Sequence, residues 1–127
     1  MSIENKKIAL IGGAGFIGHN LAFRLKELGA NPHIIDSLQV NNMLTFANSK
    51  DDNSRLYLNI LNQRLELIHK SGIDLTVEDA RQYSALTSQL NFIKPDVIIQ
   101  LAAVSHAGKS NKDPHSTFDH SLRTLEN

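Results

Sequence analysis

The chain has 127 residues, 41% of them hydrophobic, enough for the core of one modest domain. Lys and Arg balance Asp and Glu at 13 each, so no global field draws the chain to nucleic acid or to an anionic membrane. There is no cysteine for a disulfide, a thiol nucleophile or a thiolate metal site, and nothing resembles a signal peptide or a bilayer span, so a reducing cytoplasmic setting is expected.

Lys7–Ile11 is predicted to be a first strand. It runs into Gly12-Gly13-Ala14-Gly15-Phe16-Ile17-Gly18, a G-x-x-G-x-x-G spacing, and then into an amphipathic helix over Gly15–Leu28 closed by Gly29. Phe16, Ile17, Leu21, Leu25 and Leu28 carry that helical pattern. His33–Ile35 reads as a second strand ending in Asp36, followed by polar, irregular sequence from Ser37 to Asp52. A second helix is expected over Ser54–Lys70, with Tyr57, Ile60, Leu61, Leu65 and Ile68 on one face. Its charged residues Arg55, Arg64, Glu66 and Lys70 fit an exposed face. Ile73–Val77 is the third strand, and Arg81–Ile93 the third helix, with Leu86, Leu90 and Ile93 inward. Lys94-Pro95-Asp96 turns the chain into Val97–Leu101, an apolar run suited to a buried parallel strand. Asp113-Pro114 starts a last helix that runs to Asn127.

This alternation implies an α/β fold, a Rossmann-type doubly wound parallel sheet of strand order 3-2-1-4. A ligand is expected across Gly12–Gly18 and Leu101–Ser105, at the switch point between strands one and four. Glycines between a strand and a helix are what a dinucleotide phosphate site requires. Gly12 lets the chain turn, Gly15 leaves room for a pyrophosphate to reach the backbone, and Gly18 lets the helix pack closely on the strand. Val97–Leu101 would be an exposed apolar edge, so the chain reads as part of a larger protein or a domain that needs a partner.

The glycine loop resembles that of the extended short-chain dehydrogenases/reductases, the NAD-dependent nucleotide-sugar epimerases and dehydratases. The resemblance continues in order through Ile34-Ile35-Asp36-Ser37-Leu38, Asp79-Ala80-Arg81 and Leu101-Ala102-Ala103. Ser105-His106-Ala107-Gly108-Lys109-Ser110, with Pro114 and Phe118 beyond, is similar to a further pattern of that family. It implies a cofactor site of Gly12, Ala14, Gly15, Phe16, Ile17, Gly18, Asp36, Ser37, Leu38, Asp79, Ala80, Leu101, Ala102, Ala103 and Ser105, with NAD as the cofactor. It also implies that His106 and Ser110 border the nicotinamide and a nucleotide-sugar substrate.

The side-chain chemistry agrees. Asp36 can take both hydroxyls of the adenosine ribose and would repel a 2′-phosphate; no arginine follows it closely, which favours NAD over NADP. An ordinary turn residue is the other reading of Asp36. Asp79 can accept from the adenine amino group while the Ala80 N–H donates to the ring, or Asp79 can simply cap the following helix. Ala102 and Ala103 are small where a cofactor would approach, and equally suit plain packing. The 6 histidines lack the spacing of a metal site, so no metal is expected.

Departures from the family pattern define the rest. Ile11 replaces a usual threonine, His120 and Ser121 a usual asparagine, and Thr124 a usual glycine, which puts a contact from the last helix in doubt. Asp36 and Asp79 are unusually far apart, so residues 40–70 read as a helical insertion within an NAD-binding domain spanning 1–127, with the substrate domain absent. Family catalysis uses a Tyr-x-x-x-Lys pair. Tyr57 and Tyr83 are the only tyrosines, and Leu61 and Thr87 stand four residues on, so no catalytic residue is expected in this chain. The resemblance thus implies the cofactor-binding portion of an epimerase (isomerase) or dehydratase (lyase) that oxidises its sugar transiently at C4, binding NAD without turnover by itself. The alternatives are a non-catalytic NAD(H)-binding or sensing module, or assembly subunit, and a fragment that binds nothing. A homodimer through the helix from Pro114 is plausible on the same resemblance. The sugar, the base and the reaction branch are not written in these residues.

Overall fold

The computed structural model describes residues 2–39, 43–103 and 111–127. Its elements are β1 (Lys7–Ile11), α1 (Phe16–Glu27), β2 (Asn31–Asp36), α2 (Met43–Asn48), α3 (Asp52–Lys70), β3 (Asp74–Val77), α4 (Tyr83–Ile93), β4 (Val97–Gln100) and α5 (Pro114–Phe118). The last of these continues through a π-helical turn, Asp119–Arg123, into α6 (Thr124–Glu126). The four strands are parallel in the order β3-β2-β1-β4, as the alternation predicts. Leu10 stands between Ile34 and Ile99, and Ile34 in turn meets Leu75.

Alternate residues of β1 and β2 feed two cores. Leu10 and Ile34 join Ala22 and Leu25 of α1, Ile68 of α3 and Ile73. Ile11 and Ile35, one position on, join Ala80, Leu86 and Ile93 on the other face. A strand covered on both sides must be apolar at every position, which is why Ile8–Ile11 reads as an unbroken run. β4 is less covered, with Val97 and Ile98 45% and 50% exposed at the edge of the sheet.

Capping chemistry sets the helix ends. Gly29, at φ +82°, follows α1, and its N–H donates to Lys26 O (3.0 Å). Asp51 starts α3 by accepting from the Ser54 N–H (2.9 Å). The hydroxyls of Ser49 and then Ser54 hold its carboxyl far below the usual carboxylate range. Lys94, left-handed at φ 50°, ends α4. Asp113 accepts from the Ser116 N–H (2.9 Å) and Pro114 fills the first helical position of α5.

The structure corrects three expectations. Residues 37–52 are not wholly irregular: α2 forms there and stacks Phe46 on Tyr57, ring centroids 5.4 Å apart. Tyr57 and Ile60 are therefore exposed to solvent or to α2, and only Leu61 and Ile68 of the expected inward set are buried, with Leu65 half-buried. Phe16 and Ile17 do not face the core, which receives Gly18, Ala22 and Leu25 from α1. Helix boundaries otherwise move by one or two residues, as frayed ends do.

Candidate functional site

The sheet reverses its winding between β1 and β4, and a cleft of about 420 Å³ opens at the carboxyl ends of the strands. Backbone bonds lace those ends together: Gly12 N–H donates to Ile35 O (2.8 Å), and Leu101 N–H to Ile11 O (2.8 Å). The glycine loop and first turn of α1 form one wall (Gly12, Gly15, Phe16, Ile17, Gly18), and Leu101–Ala103 another. Asp36 at the end of β2, Ser37 after it and Glu78–Ala80 after β3 close the far end, where Arg64, His120 and Thr124 also reach the cleft.

Each glycine of the loop solves a different problem. Gly12 has φ +77°, and a Cβ there would lie 2.6 Å from Ala102 N. A Cβ on Gly18 would lie 2.5 Å from Gly13 Cα, so α1 packs on the backbone of the loop rather than on β1 itself. Gly15 is under no such constraint: its φ is −69°, and the nearest atom to an added Cβ is Gly12 O at 3.5 Å. Its missing side chain therefore serves the cleft and not the fold. Beside it, α1 begins without a side-chain cap or an acidic residue in its first turn. The first N–H groups there, without a partner among the described residues, present partial positive charge to the cleft, as an anion requires.

Asp36 is held from two sides. Ala14 N–H donates to Oδ2 (2.9 Å) and Leu38 N–H to Oδ1 (2.8 Å). Among the described residues each carboxylate oxygen keeps a further acceptor position. Ala14 is fully buried and Leu38, at φ 58°, packs on the core, so neither lines the cleft; both act through the carboxylate they fix.

At the next strand end, Asp79 accepts the backbone N–H (3.0 Å) and the guanidinium (2.6 Å to Nη2) of Arg81. That hydrogen bond holds the Asp79 carboxyl below its ordinary range and raises Arg81 above its own. Arg81 also donates to Asp119 Oδ2 (3.0 Å) and, at 3.4 Å, to Gln39. Asp79 does not cap α4, whose first position is preceded by Gln82 with no side-chain cap. The Asn127 amide donates to Ala80 O and Arg81 O, both at 3.0 Å, and Gln100 Nε2 to Thr124 Oγ1 (2.6 Å).

The structure thus brings together twelve of the residues expected at a cofactor site, from Gly12 to Ala103. Ser105, His106 and Ser110 lie outside the described residues. Reading the sequence missed Glu78, His120, Thr124 and above all Arg64. Arg64 was expected on the exposed face of its helix, but it follows Leu61 by three residues and precedes Ile68 by four, on the buried stripe. Its Nη1 donates to Ala14 O (3.1 Å).

Residues 8–127 match the profile of the NAD dependent epimerase/dehydratase family. The chain belongs to that family. The family is NAD-dependent, and NAD is its cofactor. Among its relatives, the chain is 28% identical over 122 residues to the bifunctional UDP-glucose 4-epimerase and UDP-xylose 4-epimerase 1 of Pisum sativum. It is 28% identical over 120 residues to the UDP-glucose 4-epimerase of Rhizobium meliloti. These matches cover 96% and 94% of this chain, but only 31% and 29% of the relatives' own length. The fold is shared with UDP-glucose-4-epimerase from Stenotrophomonas maltophila, solved with bound NAD and formylated UDP-arabinopyranose (TM-score 0.70, 23% identity, 95% of this chain and 31% of that one). It is shared also with WbmF of Bordetella bronchiseptica in complex with NAD+ (TM-score 0.65, 23% identity, 99% of this chain and 33% of that one). Among the described residues no helix is long and apolar enough to cross a membrane, and no group of metal-ligating side chains is gathered.

Proposed function

We propose that the cleft binds NAD and that residues 1–127 form the cofactor-binding domain of a nucleotide-sugar epimerase or dehydratase, with residues 40–70 an insertion in it. The observation that carries the reading is Asp36, pinned by two backbone amides with an acceptor position free on each oxygen. It stands beside the open Gly15 and the uncapped start of α1.

In this reading the carboxylate of Asp36 takes the 2′- and 3′-hydroxyls of the adenosine ribose. The first-turn amides of α1 face the pyrophosphate, and Asp79 with the Ala80 N–H addresses the adenine. Phe16 and Ile17, 75% and 68% exposed, cover the cofactor in place of water. Leu101, Ala102 and Ala103 lie along the sugar-phosphate side, and Ser105, His106 and Ser110 follow toward the nicotinamide and the sugar nucleotide. NAD, when bound, would supply reversible hydride acceptance at the sugar's C4, the chemistry that epimerisation or elimination needs. No residue of this chain is assigned as the acid/base, since neither Tyr57 nor Tyr83 begins a Tyr-x-x-x-Lys pair. That observation favours a second reading, a module that binds NAD(H) without turnover. The cytoplasm, a nucleotide-sugar partner and a homodimer through the helix from Pro114 complete the proposal.

Calorimetric titration tests it. The folded chain should bind NAD+ saturably, and Asp36→Ala should weaken binding at least about tenfold, the scale of losing charge-assisted hydrogen bonds. A folded chain that takes up no NAD+ would refute the reading.

A further inference from the structure

The expected preference for NAD over NADP rested on Asp36 with no arginine close behind it in sequence. In space an arginine is close. Arg64 comes from α3, 28 positions further along the chain, and enters the same cleft as Asp36. The two charged groups flank one residue: Asp36 accepts the Ala14 N–H (2.9 Å) and Arg64 donates to the Ala14 carbonyl (3.1 Å).

Arg64 is only partly spent there. A guanidinium has five N–H donors in a rigid fork, and among the described residues this one uses a single donor, on a carbonyl rather than on the carboxylate beside it. Burial pulls its pKa below the ordinary value while Asp36 works against that pull, but the group stays cationic. A carboxylate that binds ribose hydroxyls excludes a 2′-phosphate by repulsion, and a nearby arginine accommodates one. Both devices are present at this end of the cleft, on different elements.

Resting on the reading of the cleft as an NAD site, we infer that Arg64 is a specificity-determining residue that faces the 2′ position of the adenosine ribose and admits NADP as a second cofactor. Asp36 sets the preference for NAD, and Arg64 narrows it.

The experiment measures Kd for NAD+ and NADP+ by titration calorimetry for the wild-type chain and for Arg64→Ala, Arg64→Gln and Arg64→Lys, each checked for folding by circular dichroism. Gln keeps a donor for the Ala14 carbonyl without the charge; Lys keeps the charge. The wild-type chain should bind NADP+ measurably. The ratio of the NADP+ to the NAD+ Kd should rise about tenfold or more in the Ala and Gln variants, the worth of a lost charged hydrogen bond. It should stay near wild type in the Lys variant. A ratio unchanged in the Gln variant, or both constants rising in proportion, would make Arg64 a structural clamp on the loop and overturn the inference while leaving the NAD site intact. A folded wild-type chain that binds neither cofactor would overturn both.

Discussion

Three evenly spaced glycines of one sequence motif have different physical roles in the molecule. Gly12 and Gly18 are required by contacts 2.6 and 2.5 Å from where a Cβ would lie, whereas Gly15 meets only one oxygen at 3.5 Å. Gly12→Ala and Gly18→Ala should each lose about 2 kcal/mol or more of stability through overpacking and strain. Gly15→Ala should stay within about 1 kcal/mol of wild type and yet weaken NAD+ binding at least about tenfold. Urea unfolding and calorimetry on the three variants separate the roles; equal stability losses at all three would contradict this division. The motif already divided the roles; the partner atoms, which belong to Ala102 and Gly13, depend on the folded chain. Asp36 was legible, since a carboxylate ending a strand needs no long-range information. Arg64 was missed: an arginine on an amphipathic helix defaults to the surface, although its spacing from Leu61 and Ile68 puts it on the buried stripe, where the Ala14 carbonyl receives it.

Between elements, the sequence pattern located the four strands from short apolar runs between turn signals, of which Ile8–Ile11 alone is buried throughout by both faces of the sheet. It missed α2, whose six residues Met43–Asn48 carry no periodicity long enough to register and which is held by the ring stack with α3. One polar contact between strands has a pH consequence. His33 of β2 shares a hydrogen bond with Thr76 Oγ1 of β3 (2.8 Å). Burial lowers its pKa, with Asp74 opposing. The unfolded chain then takes up the proton more readily than the folded one. This contribution to stability is whole above the unfolded imidazole's pKa and is lost as pH falls through it toward the folded value. Urea midpoints should fall from about pH 7.5 to 5, and His33→Gln should flatten that slope. Asp79 and Asp96 are also depressed, but carboxylates lose their share at lower pH. An unchanged slope in the variant would exclude His33.

At the scale of the whole molecule, the strand order was readable because right-handed crossovers leave few ways to wind this alternation. The outer edge follows from the same order. β4 pairs with β1 on one side, and Val97 and Ile98 remain about half exposed. An apolar strand edge of this kind templates pairing with another chain. Concentrated solutions of these 127 residues should self-associate, and Ile98→Lys should reduce the sedimentation-average mass at a cost within about 1 kcal/mol. Monomeric behaviour of the wild-type chain at all concentrations would remove the argument.

The π-helical turn at Asp119–Arg123 amounts to one extra residue threaded into the last helix. It lets that helix satisfy three neighbours at once: Asp119 meets Arg81, Thr124 meets Gln100, and Asn127 meets Ala80. Winding the same residues as a regular α-helix would swing everything beyond them by up to about 100°, the turn per residue of an α-helix, whereas the wide turn absorbs the extra residue and avoids that swing. In the regular winding Thr124 would turn away from Gln100 and Asn127 from Ala80 while Asp119 kept its place. The winding of this turn therefore works as a rotary setting that decides which side chains of the helix look onto the far end of the cleft.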